Sequence, residues 1–495
     1  MVEVEPDIYL PDDCWEHVFK FLDDDDDKDY LKSVSLVSKR FLSITNHLRS
    51  SLTISKELNP FLTAIFHRFP NLTSITFSRL CGDCNTILSQ ISCFPFNITL
   101  LNLSSQISIP LNGLRAFSQK ITSLKSLDCS SKDSISVIDL SIIADCFPLL
   151  EELHLSSTGI FHGDMFNGIE TLSLALSKLR KVNLSGHTYM NDQLLFHLFN
   201  NCKVLEEVII FGCFGITNAG IATALRVRPT MRSLSLTNYV DNCTTLCAIV
   251  WSCPSLSDIK IEEPRFKKTI VDNSYSLKNF VASPQLKSLY LAHNTWLNDE
   301  SVIMFASSFP NLQLLDLSYC NQISESICQA LISSSKIRHL NLDHCSRVKL
   351  HGLNFELPKL EVLNLSHTEV DNESIITFAS SFPNLQILDL SYCNKICEVP
   401  KLEVLNLSNT NVDDESIITF GSSFPNLQIL DLSYCNQICE EEKTETADCW
   451  ESVSMAVATA AWSFLPLQPQ MLEACMSLFK TVRLSHQRFL PIIAY

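Results

Sequence analysis

Basic residues are scarce in this 495-residue chain: Lys and Arg number 37 against 54 Asp and Glu, a formal charge of -17. A net field of that sign argues against nucleic acid or another polyanion as partner. The opening run from Met1 to Asp7 is acidic, with neither the basic nor the apolar stretch of a secretory signal. No apolar run is long enough to span a bilayer; the longest near the end, Met455 to Leu467, is short and interrupted. A zinc-protease helix, a phosphate loop, a dinucleotide fingerprint and a nucleophile elbow are all missing, which leaves an enzyme reading and a cofactor without support. Cys81 and Cys84 have the spacing of a metal or redox pair, but no second pair completes a tetrahedral site, so no metal is expected. These absences together predict a non-catalytic, intracellular protein of the nucleus and/or cytoplasm, with no membrane partner.

What the chain does contain is repetition. A Leu-x-x-Leu-x-Leu pattern recurs fifteen times, its first apolar residue at Leu72, Ile98, Leu124, Leu150, Leu179, Leu205, Met231, Leu256, Leu286, Leu312, Ile337, Leu360, Leu385, Leu402 and Leu427, mostly 25 or 26 residues apart. Such a period marks a leucine-rich repeat, each unit supplying one short strand and one helical or irregular return. The expected fold class is α/β: a right-handed, horseshoe-like solenoid with parallel strands on its concave face. Side chains alternate across a strand, so Leu312, Leu315 and Leu317 point inward while Leu314, Asp316 and Ser318 face out. The segment Asn298 to Ala306 reads as a helical return, with Asp299 as its cap. No unit buries its apolar face alone, so stability is expected from neighbour stacking and to be roughly additive.

The block Leu360 to Leu390 recurs at Leu402 to Leu432, a shift of 42, as after an internal duplication. Its join is short: Leu385 to Leu402 is only 17 residues, and Cys393 to Pro400 lacks a helical return, so a tight turn or a defect is expected there. Of the 20 cysteines, Cys213, Cys320, Cys345, Cys393 and Cys435 each follow an anchor by eight residues, where a small buried side chain belongs. They are read as reduced core thiols, since free cysteine packs like a small apolar group.

Ahead of the repeats, Ile8 to Leu22 has a proline at a first helical position, acids in the first turn and apolar residues at Trp15, Val18, Phe19 and Leu22 on one face. After the acidic run Asp23 to Asp27, a second stretch carries Leu31, Val34, Val37, Phe41 and Ile44 at three- and four-residue steps. Two or three short helices follow from this spacing. The Leu10-Pro11 start, Val18, Phe19 and Leu22, then Leu31, Val34, Leu36 and Val37 before Ser38-Lys39-Arg40-Phe41, resemble the F-box over residues 8 to about 48. Ser38 stands where cysteine is common and Phe41 where tryptophan is common, and the five-aspartate loop is unusual. The repeats in turn resemble the cysteine-containing leucine-rich repeats of F-box proteins, with Gly212 to Ile221 close to that subtype's strand-to-helix passage.

The resemblance implies docking on a Skp-type adaptor, and through it a cullin, by Leu10, Pro11, Val18, Phe19, Leu22, Leu31, Val34, Val37 and Phe41, with the repeats gripping an unidentified protein to be ubiquitinated. The same apolar residues also have to cap the open solenoid end. The expected organisation is an F-box at 1–50, a solenoid at 51–440, and an irregular tail or partial cap at 441–495. A plant-type small-molecule co-receptor and a ligase-independent scaffold are the alternatives; the first needs a basic site, for which only Arg265, Lys267 and Lys268 in the long step from Leu256 to Leu286 offer material.

Outward positions vary most in the middle repeats, where Glu207, Ile209, Phe211, Asp258, Lys260, Tyr290 and His339 are the candidate substrate contacts. Ile209, Phe211 and Tyr290 are the strongest anchors among them, because aromatic and aliphatic side chains dominate binding energies. Asp316, Asp389 and Asp431 occupy one outward position in related units. They read either as a binding row of carboxylates or, preferably, as polar cover on a solvated face that duplication copied.

Overall fold

Each repeat core puts three apolar side chains on one side of a short extended segment, and in the computed structural model these segments are strands. The structure describes residues 10–23, 30–79, 82–130, 135–157, 166–237, 243–262, 282–332, 336–349, 356–371, 382–395, 404–408, 410 and 429–431. The chain divides into two compact units, 1–240 with 244–267, and 241–243 with 268–495.

The first unit opens with three helices, α1 (Asp12–Asp23), α2 (Tyr30–Ser35) and α3 (Lys39–Leu48). Then come β1 (Ser51–Ile54), β2 (Ser74–Phe77), β3 (Leu100–Asn102), β4 (Ser126–Asp128), β5 (Glu152–His154), β6 (Lys181–Asn183), β7 (Glu207–Ile210), β8 (Ser233–Thr237) and β9 (Asp258–Glu262). Each pairs in parallel with the next, in a register that stacks Leu101, Leu127 and Leu153 in one inward column. The second unit holds β10 (Ser288–Tyr290), β11 (Leu314–Asp316), β12 (His339–Asn341), β13 (Val362–Asn364), β14 (Ile387–Asp389), β15 (Val404–Asn406) and β16 (Ile429–Asp431), again sequential and parallel. Parallel neighbours need a crossover, supplied in most of the first unit by helices such as Cys84–Ile91, Leu111–Ser118, Val137–Cys146, Asp192–Asn201 and Asn218–Val227, each packed on its successor or predecessor. The solenoid expected from the period is therefore present in each unit. Leu312, Leu315 and Leu317 are buried as read from the sequence; Ser318 is buried as well, although it was placed on the outward face, and its carbonyl accepts from the His293 amide of the previous coil.

Helix starts are set by side chains. Asn191, Thr217 and Asn298 accept from the backbone N–H three residues on, and Ser136 with Asp139 forms a reciprocal capping box. Asp299, expected as the cap, is instead the first helical residue of Asp299–Ser308; the cap is Asn298, which has the extended backbone that position requires (φ -132°, ψ 177°). The Asp299 carboxylate reaches the next coil, accepting from the Ser324 amide at 2.7 Å and its hydroxyl at 2.5 Å. Asp192 does the same for Thr217, both contacts at 2.7 Å, and a Cβ on Gly220 would lie 2.0 Å from its oxygen.

Past β6, β7 and β10 to β14 the backbone takes a left-handed step. Gly186 and Gly212 provide it in the first unit at φ 83° and 69°; in the second unit it falls on His293, Tyr319, His344, His367 and Tyr392, at φ 55° to 62°. A side chain costs about 1–2 kcal/mol per residue in that region. The step persists because it aims each amide at the next coil: His293 donates to Ser318 O at 2.9 Å, Tyr319 to Asp343 O at 2.8 Å, His344 to Ser366 O and His367 to Ser391 O at 3.0 Å, and Tyr392 to Ser408 O at 2.9 Å. The five rings stack, with centroids 4.2, 4.1, 3.7 and 4.2 Å apart in chain order.

The following position explains the cysteines. Cys213, Cys320, Cys345 and Cys393 are buried and free, and each thiol lies 3.1–3.4 Å from a leucine carbonyl of the preceding coil, to which it donates. Thr368 occupies the same column and donates to Leu365 O at 2.6 Å. His187 does too: its Nε2 donates to Leu155 O at 2.7 Å, and its Nδ1 accepts from the Tyr189 hydroxyl at 2.8 Å. Burial pushes the Cys213 and Cys345 thiols up to about 12 and the His187 imidazole down to about 4. Cys435 and the tail from 432 onward lie outside the described residues.

At the short join, Asp371 bridges Lys395 and β14 still pairs with β15 in register, Ile387 opposite Val404, so 17 residues suffice to close a coil. The expected turn at 396–400 is outside the described residues.

Candidate docking site

Three aromatic rings hold the N-terminal helices together. Trp15 and Phe19 on α1 meet Phe41 on α3, with centroids 5.7, 4.8 and 5.1 Å apart, and such tilted or edge-on pairs suit the ring quadrupoles. Ser38 caps α3 by accepting from the Phe41 amide at 3.1 Å, which fixes where that ring enters the cluster. Arg40 Nε bonds Asp12 Oδ1 at 2.6 Å while its other arm donates to Leu10 O, tying the start of α1 to α3.

The nine sequence-derived docking residues divide by this packing. Phe19 is only 3% exposed and belongs to the internal core, so it offers no surface to a partner. Leu10, Leu31, Val34 and Phe41 are half-buried. Pro11 is exposed, as are Val18 at 43% and Val37 at 69%. Leu22 lies in α1, but its side chain is outside the described set. Leu36, at 81% exposed, is the most open large apolar residue of this N-terminal segment and lies with Val37 in the turn between α2 and α3; it entered the sequence reading as part of the resemblance only, since its place next to Val37 breaks the helical spacing.

The candidate substrate contacts fall in separate units. On the first, register aligns Glu152, Lys181, Glu207, Ser233 and Asp258 in one outward row, and His154, Asn183, Ile209, Ser235 and Lys260 in the next. Lys181 lies 3.8 Å from Glu152 and 3.4 Å from Glu207, exposed pairs that contribute little. Lys260 reaches across β8 to place its ammonium 5.4 Å from the Phe211 ring centroid, and it also lies 3.7 Å from Glu262. Ile209 is half-exposed between Asn183 and Ser235. The structure thus brings Ile209, Phe211 and Lys260 onto one surface.

On the second unit, Tyr290 is half-buried and pairs with Asp316, while His339 is exposed in the row Ser288, Leu314, His339, Val362, Ile387. Leu314, Val362 and Ile387 make that row apolar, a feature missed because each was judged singly rather than across the register. Burial is the main cause holding the His339 imidazole below the usual histidine range.

The carboxylates at Asp316 and Asp389 do not form a binding row. Each accepts from the amide two residues on in its own chain, Ser318 and Ser391, at 3.0 Å, and Asp389 is buried. Asn102, Asp128, Asn183, Asn341 and Asn364 make the same turn in other coils. In register, Asn341 and Asn364 separate Asp316 from Asp389, and Asn406 separates Asp389 from Asp431. Arg265, Lys267 and Lys268 lie outside the described residues. No helix among the described residues is long and apolar enough to cross a membrane.

The F-box domain model matches residues 9–52, and two leucine-rich-repeat models match residues 356–379 and 400–443. Among solved structures, the chain is similar to the yeast Rad7 and Elc1 complex, at 17% identity over 73% of this chain and 90% of that one, TM-score 0.40. It is similar also to an internalin from Listeria monocytogenes, at 14% identity over 70% and 76%, TM-score 0.29. A third is the TLR13-ssRNA13 complex, at 16% identity over 77% and 62%, TM-score 0.40. With the domain match at one end and the coiled repeats behind it, the chain combines an F-box domain with leucine-rich repeats.

Proposed function

We propose that this chain is a non-catalytic receptor subunit of an SCF-type ubiquitin ligase, acting in the nucleus and/or cytoplasm. Its N-terminal helices dock a Skp-type adaptor and through it a cullin, and its strand faces hold the protein to be modified. The observation that carries the reading is the exposure of Val18, Leu36 and Val37 on a helical unit whose aromatic core of Trp15, Phe19 and Phe41 is closed without them. Fully burying a side chain of that size is worth about 1.5–3 kcal/mol, and three of them exceed the cost of ordering a few interface side chains. Leu10, Pro11, Leu31, Val34 and Phe41 flank this set. On the repeats, Ile209, Phe211 and Lys260 are the first contacts to a substrate, with Glu207 and Asp258 in the adjoining row, and Tyr290 and His339 serve the second unit.

Retention of purified Skp-type adaptor on the immobilised full chain tests the docking half. Wild type retains it; Leu36→Asp with Val37→Asp releases it while circular dichroism and the thermal midpoint stay at wild-type values, as expected for exposed positions. A wild-type chain that fails to retain any such adaptor ends the proposal.

A further inference from the structure

In the stacked column of the second unit, two consecutive coils differ from the Ser-Tyr-Cys sequence of others. Where neighbouring coils read Ser318-Tyr319-Cys320 and Ser391-Tyr392-Cys393, one coil reads Asp343-His344-Cys345 and the next Ser366-His367-Thr368. The replacements converge. Asp343 Oδ1 lies 2.6 Å from His344 Nδ1 and 3.3 Å from His367 Nδ1, although the second imidazole belongs to the following coil. Ser366 also donates its hydroxyl to the same oxygen at 2.6 Å. That oxygen is overcommitted, and His367 Nδ1 is left buried without completing a hydrogen bond. The three side chains offer one oxygen and two nitrogens within 4.8 Å of one another, and all three residues are half-buried.

We propose that Asp343, His344 and His367 form a binding site for a divalent transition-metal ion of the zinc class. Two imidazoles and one carboxylate are a borderline N/O donor set that suits such ions rather than calcium or magnesium, and three protein ligands leave a fourth position for water. The ion would satisfy the stranded nitrogen of His367. Ser366 orients the carboxylate from the adjacent coil as an outer-shell partner. The two imidazoles lie 3.7 Å apart at an interplanar angle of 22°. A metal sits near the plane of each imidazole that binds it, which two nearly parallel stacked rings do not allow, so binding swings one ring out of the column and disturbs the Tyr319 or Tyr392 ring beside it. The site then fastens two consecutive coils together.

The test uses the full-length chain, stripped with chelator and kept reduced with a non-chelating phosphine, titrated with zinc ion alone. Asp343→Asn, His344→Asn and His367→Asn each remove a ligand, and asparagine tolerates the left-handed backbone of the two histidine positions, so folding is preserved. His293→Asn is the control, a ring of the same column that stacks on Tyr319 at 4.2 Å but is not one of the three clustered residues. Wild type and His293→Asn are expected to bind one more zinc equivalent than the three ligand variants, or to bind it at least about 10-fold more tightly. Zinc is also expected to change the near-ultraviolet circular dichroism of wild type and not of His344→Asn. Equal stoichiometry and affinity across all five proteins, or an unchanged aromatic spectrum in wild type with saturating zinc, overturns the proposal.

Discussion

His187 is a histidine in a column of thiols, and it makes this fold sensitive to acid. The imidazole is fully buried, donating from Nε2 to Leu155 O at 2.7 Å and accepting at Nδ1 from Tyr189 at 2.8 Å. The second bond requires the neutral ring, because a protonated imidazole has no acceptor nitrogen. Burial lowers its value from 6.5 to about 4, outweighing the carbonyl contact that opposes the shift. Between those values the unfolded chain binds the proton and the folded chain does not, so stability is complete above pH 6.5 and falls as the pH drops toward 4. One pKa unit corresponds to 1.36 kcal/mol, so this residue alone costs about 2 kcal/mol by pH 5 and about 3 kcal/mol once the folded form is titrated. The perturbation is His187→Cys, which restores the side chain used by Cys213 in the next coil and retains a donor toward Leu155 O. The smaller residue lowers stability at pH 7.5, but the loss between pH 7.5 and pH 5 should shrink by about 2 kcal/mol relative to wild type. Urea unfolding at the two pH values, followed by far-ultraviolet circular dichroism, measures the difference. Identical pH dependence in wild type and variant refutes the assignment of the buried neutral imidazole.

Two further outcomes follow from the coil geometry. Gly186→Ala places a Cβ 1.7 Å from Ser157 O at φ 83°, forcing backbone apart, and should cost about 3 kcal/mol or more, whereas Gly212→Ala, with its nearest atoms at 3.6 Å, should cost only the left-handed penalty of about 1 kcal/mol; denaturant midpoints that rank the two the other way contradict the step geometry. Cys345→Thr, which copies Thr368, should be nearly neutral, while Cys345→Ala forfeits the contact with Leu317 O and leaves a small void worth about 1–2 kcal/mol; equal unfolding midpoints for the two variants would show that the donor is immaterial.

The strands were legible because their signal is redundant: an inward leucine every second residue, repeated at one period, admits a single stacking. Domain-level features of the N-terminus were legible for the same reason, as Trp15, Val18, Phe19 and Phe41 carry helical spacing. Which of those side chains faces outward was not. Phe19 and Val18 are adjacent in sequence and share an apolar character, yet only contact with Trp15 and Phe41 decides that the first is core. Asp299 misled because Asn298 and Asp299 are both good caps, and the choice between them depends on Ser324, 25 residues away. The left-handed column was hidden by composition. Glycine announces such a step at 186 and 212, but tyrosine and histidine do not, and the amide bonds that hold them there run to carbonyls a full coil distant. Asp316 and Asp389 repeated like a binding motif, whereas their duty is to their own turn.

The 17-residue coil between Leu385 and Leu402 shows what sets the length of a repeat. Across the shortened unit the strand and the step after it keep their partners: β14 and β15 stay paired and Tyr392 still donates to Ser408 O. At this place the rungs still meet although the return between them is shorter, so recombination that deletes part of a return can leave the strand pairing intact. Proteins built this way can lengthen by unequal exchange without first evolving a matching partner surface, and the 42-residue echo at their far end is the trace such growth leaves behind.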